Sequence, residues 1–269
     1  RNETAMLSKQ ENRYYQLEEL EILKEFQRVC EIHHLRYFVT AGTLLGTIRH
    51  KGFIPWDDDI DIAMPRKDFE ALRTVCTNEL NSHFFYQDSH TDPCYPFYFA
   101  KIRKNGTTVE EPWLQRVPMH KGIYIDIFPL DVCPRSEWRA KVFFKAIELL
   151  TFSVVGKIDT EFRCGYKKQF MRLLYKCLKT LPLSVLFGVR DTIRKIIACS
   201  EADSRLCTVG GAHGYPRETY EQTWFTESQA MTFEGITVPV PTEWKKVLTS
   251  MYGDYLTPPS MADRGGHFI

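Results

Sequence analysis

The stretch GFIPWDDDIDIAMPR, residues 52–66, sets Asp57, Asp58, Asp59 and Asp61 within five positions and runs straight into isoleucines. Like charges at that density repel, and a buried carboxylate is costly unless something neutralises it. The segment therefore either lies in solvent or holds a cation. Its second half, DIDIAM at 59–64, alternates strictly and predicts a β-strand. Side chains alternate across a strand, so Asp59 and Asp61 share one face while Ile60, Ile62 and Met64 share the other. Asp57 and Asp58 also suit a solvated acidic loop. An EF-hand is excluded, because counting from Asp57 the sixth position is Ile62, where the calcium loop needs glycine.

GIYIDIF, 122–128, repeats the pattern, with Ile123, Ile125 and Ile127 on one face and Asp126 on the other beside Tyr124 and Phe128. If the two strands are neighbours, Asp59, Asp61 and Asp126 converge. Facing like charges destabilise a sheet. A hard divalent ion reverses that, and Mg2+ is the usual one with phosphates. Just upstream, AGTLLG runs a strand into a glycine and a helix. Gly42 allows close backbone approach, and the Thr43 hydroxyl with the free N–H groups of the helix start favours an anion. Arg49, Lys101 and Arg103 supply charge for phosphates, although an exposed strand edge accounts for Lys101 and Arg103 equally well.

Away from this centre, periodicity predicts a helix over 11–34 and strands over 36–42, 83–87 and 98–103. A second long helix starts at Pro65 and ends near Leu80, and Asn105-Gly106 signals a hairpin turn. From 136 to 199 the pattern is helical, divided by Gly165 and Pro182, and after Gly210 it becomes loop-rich with a short helix near 242–251. The fold class is α+β: a mixed sheet with flanking helices and an added helical subdomain. Three parts follow: a catalytic core over 1–135, the helical subdomain over 136–205, and a C-terminal segment over 206–269 that folds back on the core.

At 43% apolar and 26% charged residues, the 269-residue chain affords a sizeable core. A net charge of +1 gives no argument for nucleic acid. The polar opening RNETAMLSKQENRYYQ predicts neither leader nor anchor there, unless a segment has been removed, and no apolar run predicts a spanning helix. Eight cysteines without a CxxC pair, among them Cys30, Cys76 and Cys177 in apolar helical patterns, suit buried thiols in a reducing compartment. A zinc site from Cys199, Cys207 and His213 matches no standard spacing.

GTLLGTIRHKGFIPWDDDIDIAMPRKDFE, 42–70, closely resembles the signature of the LicD family, which spans bacterial phosphocholine transferases and the eukaryotic fukutin group. GIYIDIFPLD, 122–131, matches a second block of that family, and YGDYLTPPS, 252–260, with His267 beyond it, a third. The resemblance implies a nucleotidyltransferase-type fold in which Gly42 and Thr43 hold phosphates and Asp59, Asp61 and Asp126 bind metal, Mg2+ or alternatively Mn2+. It implies CDP-choline as donor, with CMP released, and a glycan or lipid-linked oligosaccharide acceptor of the teichoic acid or lipopolysaccharide type. Asp126 would also accept the acceptor's proton if within reach. Ribitol or glycerol phosphate donors, a metal-dependent glycosyltransferase using the same DxD, and an inactive scaffold are the alternatives.

Tyr95, Trp113 and Tyr124 offer aromatic walls for a quaternary ammonium, although core packing explains them too. His267 contacts the ligand if the tail closes over the site. Residues 163–196 hold nine Lys or Arg and one acid, Asp191, interleaved with Phe170, Leu173 and Leu186. Such a stretch either lies on an anionic membrane surface or packs its apolar stripe on the sheet. The expected compartment is the cytoplasm, and the first case adds peripheral contact at the inner face of the membrane. The fukutin relatives, which work in the secretory pathway, leave the compartment open.

Overall fold

A computed structural model describes residues 9–200 and 204–260. The elements run α1 (Lys9–Ile32), β1 (Phe38–Val39), α2 (Ala41–His50), β2 (Asp61–Pro65), α3 (Arg66–Glu79), β3 (Phe84–Gln87), β4 (Ala100–Lys104) and β5 (Tyr124–Pro134). They continue as α4 (Glu137–Ile158), α5 (Gln169–Leu178), α6 (Leu183–Ser200), β6 (Ser204–Cys207), β7 (Thr219–Tyr220), β8 (Ser228–Phe233), β9 (Ile236–Pro241) and α7 (Trp244–Tyr252). The architecture is α+β. One mixed sheet has the order β1-β2-β5-β4-β3, with β6 and β7 added along the far end of β5.

β2 and β5 are parallel neighbours, and their register sets Asp61 opposite Asp126. Alternation then divides the sheet. Ile62, Met64, Ile125, Ile127 and Ile102 are buried on one face, against Leu23, Phe26 and Val29 of α1 and Phe69 and Leu72 of α3. The opposite face carries Asp61, Asp126, Lys101 and Tyr124. Burying the isoleucine face stabilises the sheet by roughly 1.5–3 kcal/mol per fully covered side chain, and the same pleat that buries it turns the carboxylates the other way.

The structure departs from the sequence reading in four places. β2 begins at Asp61, leaving Asp59 in the preceding loop. Its antiparallel partner β1 is two residues long and pairs only with Ile62 and Ala63, so nothing on that side extends the ladder to Asp59. Asn105-Gly106 closes no hairpin, because β4 and β5 pair across an excursion that carries a 3-10 turn at Pro112–Leu114. The stretch after Gly210 holds the β8–β9 hairpin rather than loop, turning at Glu234 and Gly235 with φ 49° and 77°. Pro239 and Pro241 obscured β9, since proline demotes a strand reading although an edge tolerates it. Cys177 is exposed, not buried.

Helices α4, α5 and α6 pack on one another, and α4 and α6 also touch β5. The apolar stripe of α5 is not spent on the sheet: Phe170 and Leu173 are 71% and 61% exposed. Among the described residues, no helix is long and apolar enough to cross a membrane.

Candidate active site

The Gly-Thr turn grips the acidic strand. Thr40 N–H donates to the Asp61 carbonyl at 3.0 Å, and Asp61 N–H donates to Thr43 Oγ1 at 2.8 Å. Both peptide groups of Asp61 are thus held by the start of α2. Thr43 is buried and serves the strand rather than facing the cavity. Gly42 does line the cavity, and a Cβ there would collide with Asp57 Oδ2. The aspartate loop folds against this glycine, so a side chain there would displace the Asp57 carboxylate.

α1 fixes the other side of that loop. Gln16 Nε2 and Asn12 Nδ2 donate to the Asp57 carbonyl at 2.8 and 3.3 Å. Asp58 is fully buried, which rules out a solvated loop. Asp57 and Asp59 face each other closely enough to share a hydrogen bond, and burial with this repulsion pushes Asp57 well above the carboxylate range. Asp61 is pushed the same way, first by burial, then by Asp59, Asp126 and Asp57. Behind them Glu19 of α1 is fully buried with neither carboxylate oxygen hydrogen-bonded, and its pKa is likewise driven up by burial and the aspartates.

Asp126 is held differently. Lys101 Nζ reaches its Oδ1 at 2.6 Å and sits 3.1 Å from the centroid of the Tyr124 ring. Burial raises the Asp126 pKa against the pull of Lys101, and lowers that of Lys101 against the pull of Asp126. The exposed-edge account of Lys101 and Arg103 fails, because they are 2% and 0% exposed. Arg103 lies behind the wall, giving hydrogen bonds to the Gly122 carbonyl at 2.8 Å and Glu111 at 3.1 Å. Tyr124 offers no open face to a ligand cation, since Lys101 covers it, and Tyr95 is entirely core. Arg49 lines the cavity and donates to the Tyr255 carbonyl at 3.1 Å. His267 lies outside the described residues.

Asp57, Asp59, Asp61 and Asp126 border one cavity of about 800 Å3. Glu218 and Tyr252 border it too, and sequence reasoning missed both. His213 N–H and Gly214 N–H donate to the Glu218 carboxylate at 3.2 and 3.0 Å, while burial pushes its pKa up to about 7. A glutamate in HGYPRETY gives no periodic signal that separates it from a solvated loop residue.

The donor set suits a hard cation: it is all oxygen, crowded with like charge, and backed by the orphaned Glu19 carboxylate. Among the described residues, no three such side chains stand close enough to enclose an ion as placed. Asp126 is ion-paired with Lys101 at 2.6 Å. Cys199, Cys207 and His213 form no metal cluster either.

The mixed sheet thus brings the clamped Asp61, the loop aspartates Asp57 and Asp59 and the later-strand Asp126 to one cavity. Residues 34–142 match the family model described as LicD/FKTN/FKRP, nucleotidyltransferase domain, so that stretch carries a LicD family domain. Over 270 aligned positions the chain is 29% identical to the lipopolysaccharide cholinephosphotransferase LicD of Haemophilus influenzae, covering 96% of each chain. It is also 32% identical over 107 positions to the human ribitol 5-phosphate transferase FKRP, covering 32% of this chain and 21% of that protein.

Proposed function

We propose that this protein transfers phosphocholine from CDP-choline to a sugar hydroxyl of a cell-surface glycan precursor, releasing CMP. The observation that carries the reading is the set of aspartates on β2, its preceding loop and β5, which line one cavity together with Glu218. Near full-length similarity to a cholinephosphotransferase supports the choice of group transferred. A divalent cation, Mg2+ or Mn2+, held by Asp59 and Asp61 would neutralise the diphosphate and the departing CMP.

The chain's own residues do the rest. Arg49 binds a phosphate oxygen. Thr43 and Thr40 keep Asp61 in place through its peptide groups. Lys101 orients Asp126 and neutralises it, which makes Asp126 a poor base. We assign proton acceptance to Glu218, whose pKa near neutrality matches the task. The acceptor oxygen forms the new bond to phosphorus, the bond from phosphorus to the CMP oxygen breaks with its electron pair going to CMP, and the acceptor's proton passes to Glu218.

A CMP-release assay, with thermal shifts alongside, tests the donor. CDP-choline with Mg2+ is expected to raise the melting point, since a ligand favouring the native state stabilises it, and to release CMP. EDTA is expected to abolish both. A preference for CDP-ribitol would favour ribitol phosphate transfer, which the similarity to the human transferase supports. UDP-glucose turnover would establish the glycosyltransferase reading.

The exposed Phe170 and Leu173, beside Arg172 and Lys176 on α5, support contact with an anionic membrane surface carrying a lipid-linked acceptor. The protein is expected to sediment with phosphatidylglycerol vesicles, and changing Lys167, Lys168 and Lys176 to Glu should release it. Equal pelleting would end the membrane contact.

A further inference from the structure

Resting on that reading, we propose that a second cavity, walled by aromatic side chains and the glycine strip 210–214, binds the sugar ring of the acceptor. It measures about 710 Å3. Phe97, Phe99, Trp113, Gly210 and Gly211 line both it and the catalytic cavity, so the two spaces meet at a common wall. Displacement at phosphorus brings the attacking and leaving oxygens to one atom roughly in line. Donor and acceptor therefore need separate pockets that open onto each other.

The lining has the chemistry of a sugar site. Phe144, Phe152 and Tyr215 add rings to the shared Trp113, and Thr151, Lys145 and Glu148 of α4 add polar groups. A pyranose sets its C–H face on aromatic rings and its hydroxyls on a few convergent polar groups. Trp113 meets Phe97 in an edge-on arrangement, centroids 5.4 Å apart, and stays 40% exposed. Its ring is braced without being covered.

The floor is bare backbone. Gly210 has φ +100°, and a Cβ there would press on the Phe99 ring at 3.2 Å. Gly214 has φ +60° with open space where a Cβ would stand. Lys145 is paired with Glu148 and Lys141 with Glu137, so this lining presents no unpaired carboxylate to the donor's quaternary ammonium. The strip also joins the two sites: Gly214 N–H, part of this lining, donates to Glu218 at 3.0 Å. A sugar resting on the strip brings its hydroxyl toward the group that takes its proton.

The test uses methyl glycosides of glucose, galactose and N-acetylglucosamine as probes, observed by saturation-transfer NMR with no donor present. The wild type and Asp61→Asn are expected to show saccharide contact. Thr151→Trp, which fills the cavity, and Tyr215→Ala, which removes a wall, should weaken it about tenfold each. Ligand-free melting points of the same samples certify folding, and CDP-choline thermal shifts are measured alongside on the wild type. Undiminished contact in either folded variant, or no contact in the wild type, overturns the acceptor site. Loss of the CDP-choline shift in the wild type overturns the donor reading instead, and the two failures are separately visible.

Discussion

Asp61→Asn and Asp59→Asn are each expected to lower the proposed phosphocholine transfer by on the order of a thousandfold or more while leaving the melting point at or above that of the wild type. The first half follows from position. Thr40 and Thr43 clamp both peptide groups of Asp61, and its register sets it opposite Asp126. An amide keeps the shape and removes the charge on which the proposed cation and diphosphate binding would depend. The second half follows from crowding. Burial, then Asp59, Asp126 and Asp57, hold the Asp61 carboxyl far from its ordinary acidity. Removing one like charge from that wall relieves repulsion and breaks no hydrogen bond of the Asp61 backbone. Initial-rate CMP release and differential scanning calorimetry read the two effects. Wild-type turnover by either variant would remove the aspartates from the chemistry, and a melting point lower by many degrees would make them structural.

This combination also explains which parts of the site the sequence announces. A pleat has period two, so DIDIAM and GIYIDIF each declare a buried face and a carboxylate face, and the register of β2 with β5 aligns the two. What alternation does not encode is partnership. Lys101 and Arg103 occupy the same strand face, yet Lys101 meets Asp126 while Arg103 turns to Gly122 and Glu111. That difference depends on the loop between β4 and β5, which the Asn-Gly signal suggested was a tight turn. Thr43 shows the same limit: a hydroxyl at a helix start suits an anion, and here the strand's own amide claims it. Long-range contacts decide such cases, and they have no local signature. The β8–β9 hairpin was hidden for a different reason, since its prolines contradict the local propensity that tertiary packing overrides.

Glu218→Gln is expected to cut the transfer rate by about 10²–10⁴-fold with the CDP-choline KM unchanged, and to erase the rising limb of the pH–rate profile near 7. The carboxyl is raised from 4.5 to about 7 by burial, against the opposing pull of the His213 and Gly214 amides. It therefore gains basic form as pH rises through 7, and activity rises with it. Stability moves the opposite way. Between 4.5 and about 7 the folded chain holds a proton that the unfolded chain has released. This contribution is therefore complete below that window and is lost as pH climbs through it, by at most about 3 kcal/mol. Glutamine cannot ionise, so its variant lacks this component of the decline. An ordinary structural glutamate would give neither the lost rate limb nor an unchanged donor KM. If Glu218→Gln turns over at the wild-type rate, the proton goes elsewhere, and Asp126, freed from Lys101 when the donor binds, becomes the group to test. The opposed slopes are the informative signature, because one ionisation that activates the enzyme and destabilises its fold marks a carboxyl held in place for chemistry at the expense of stability.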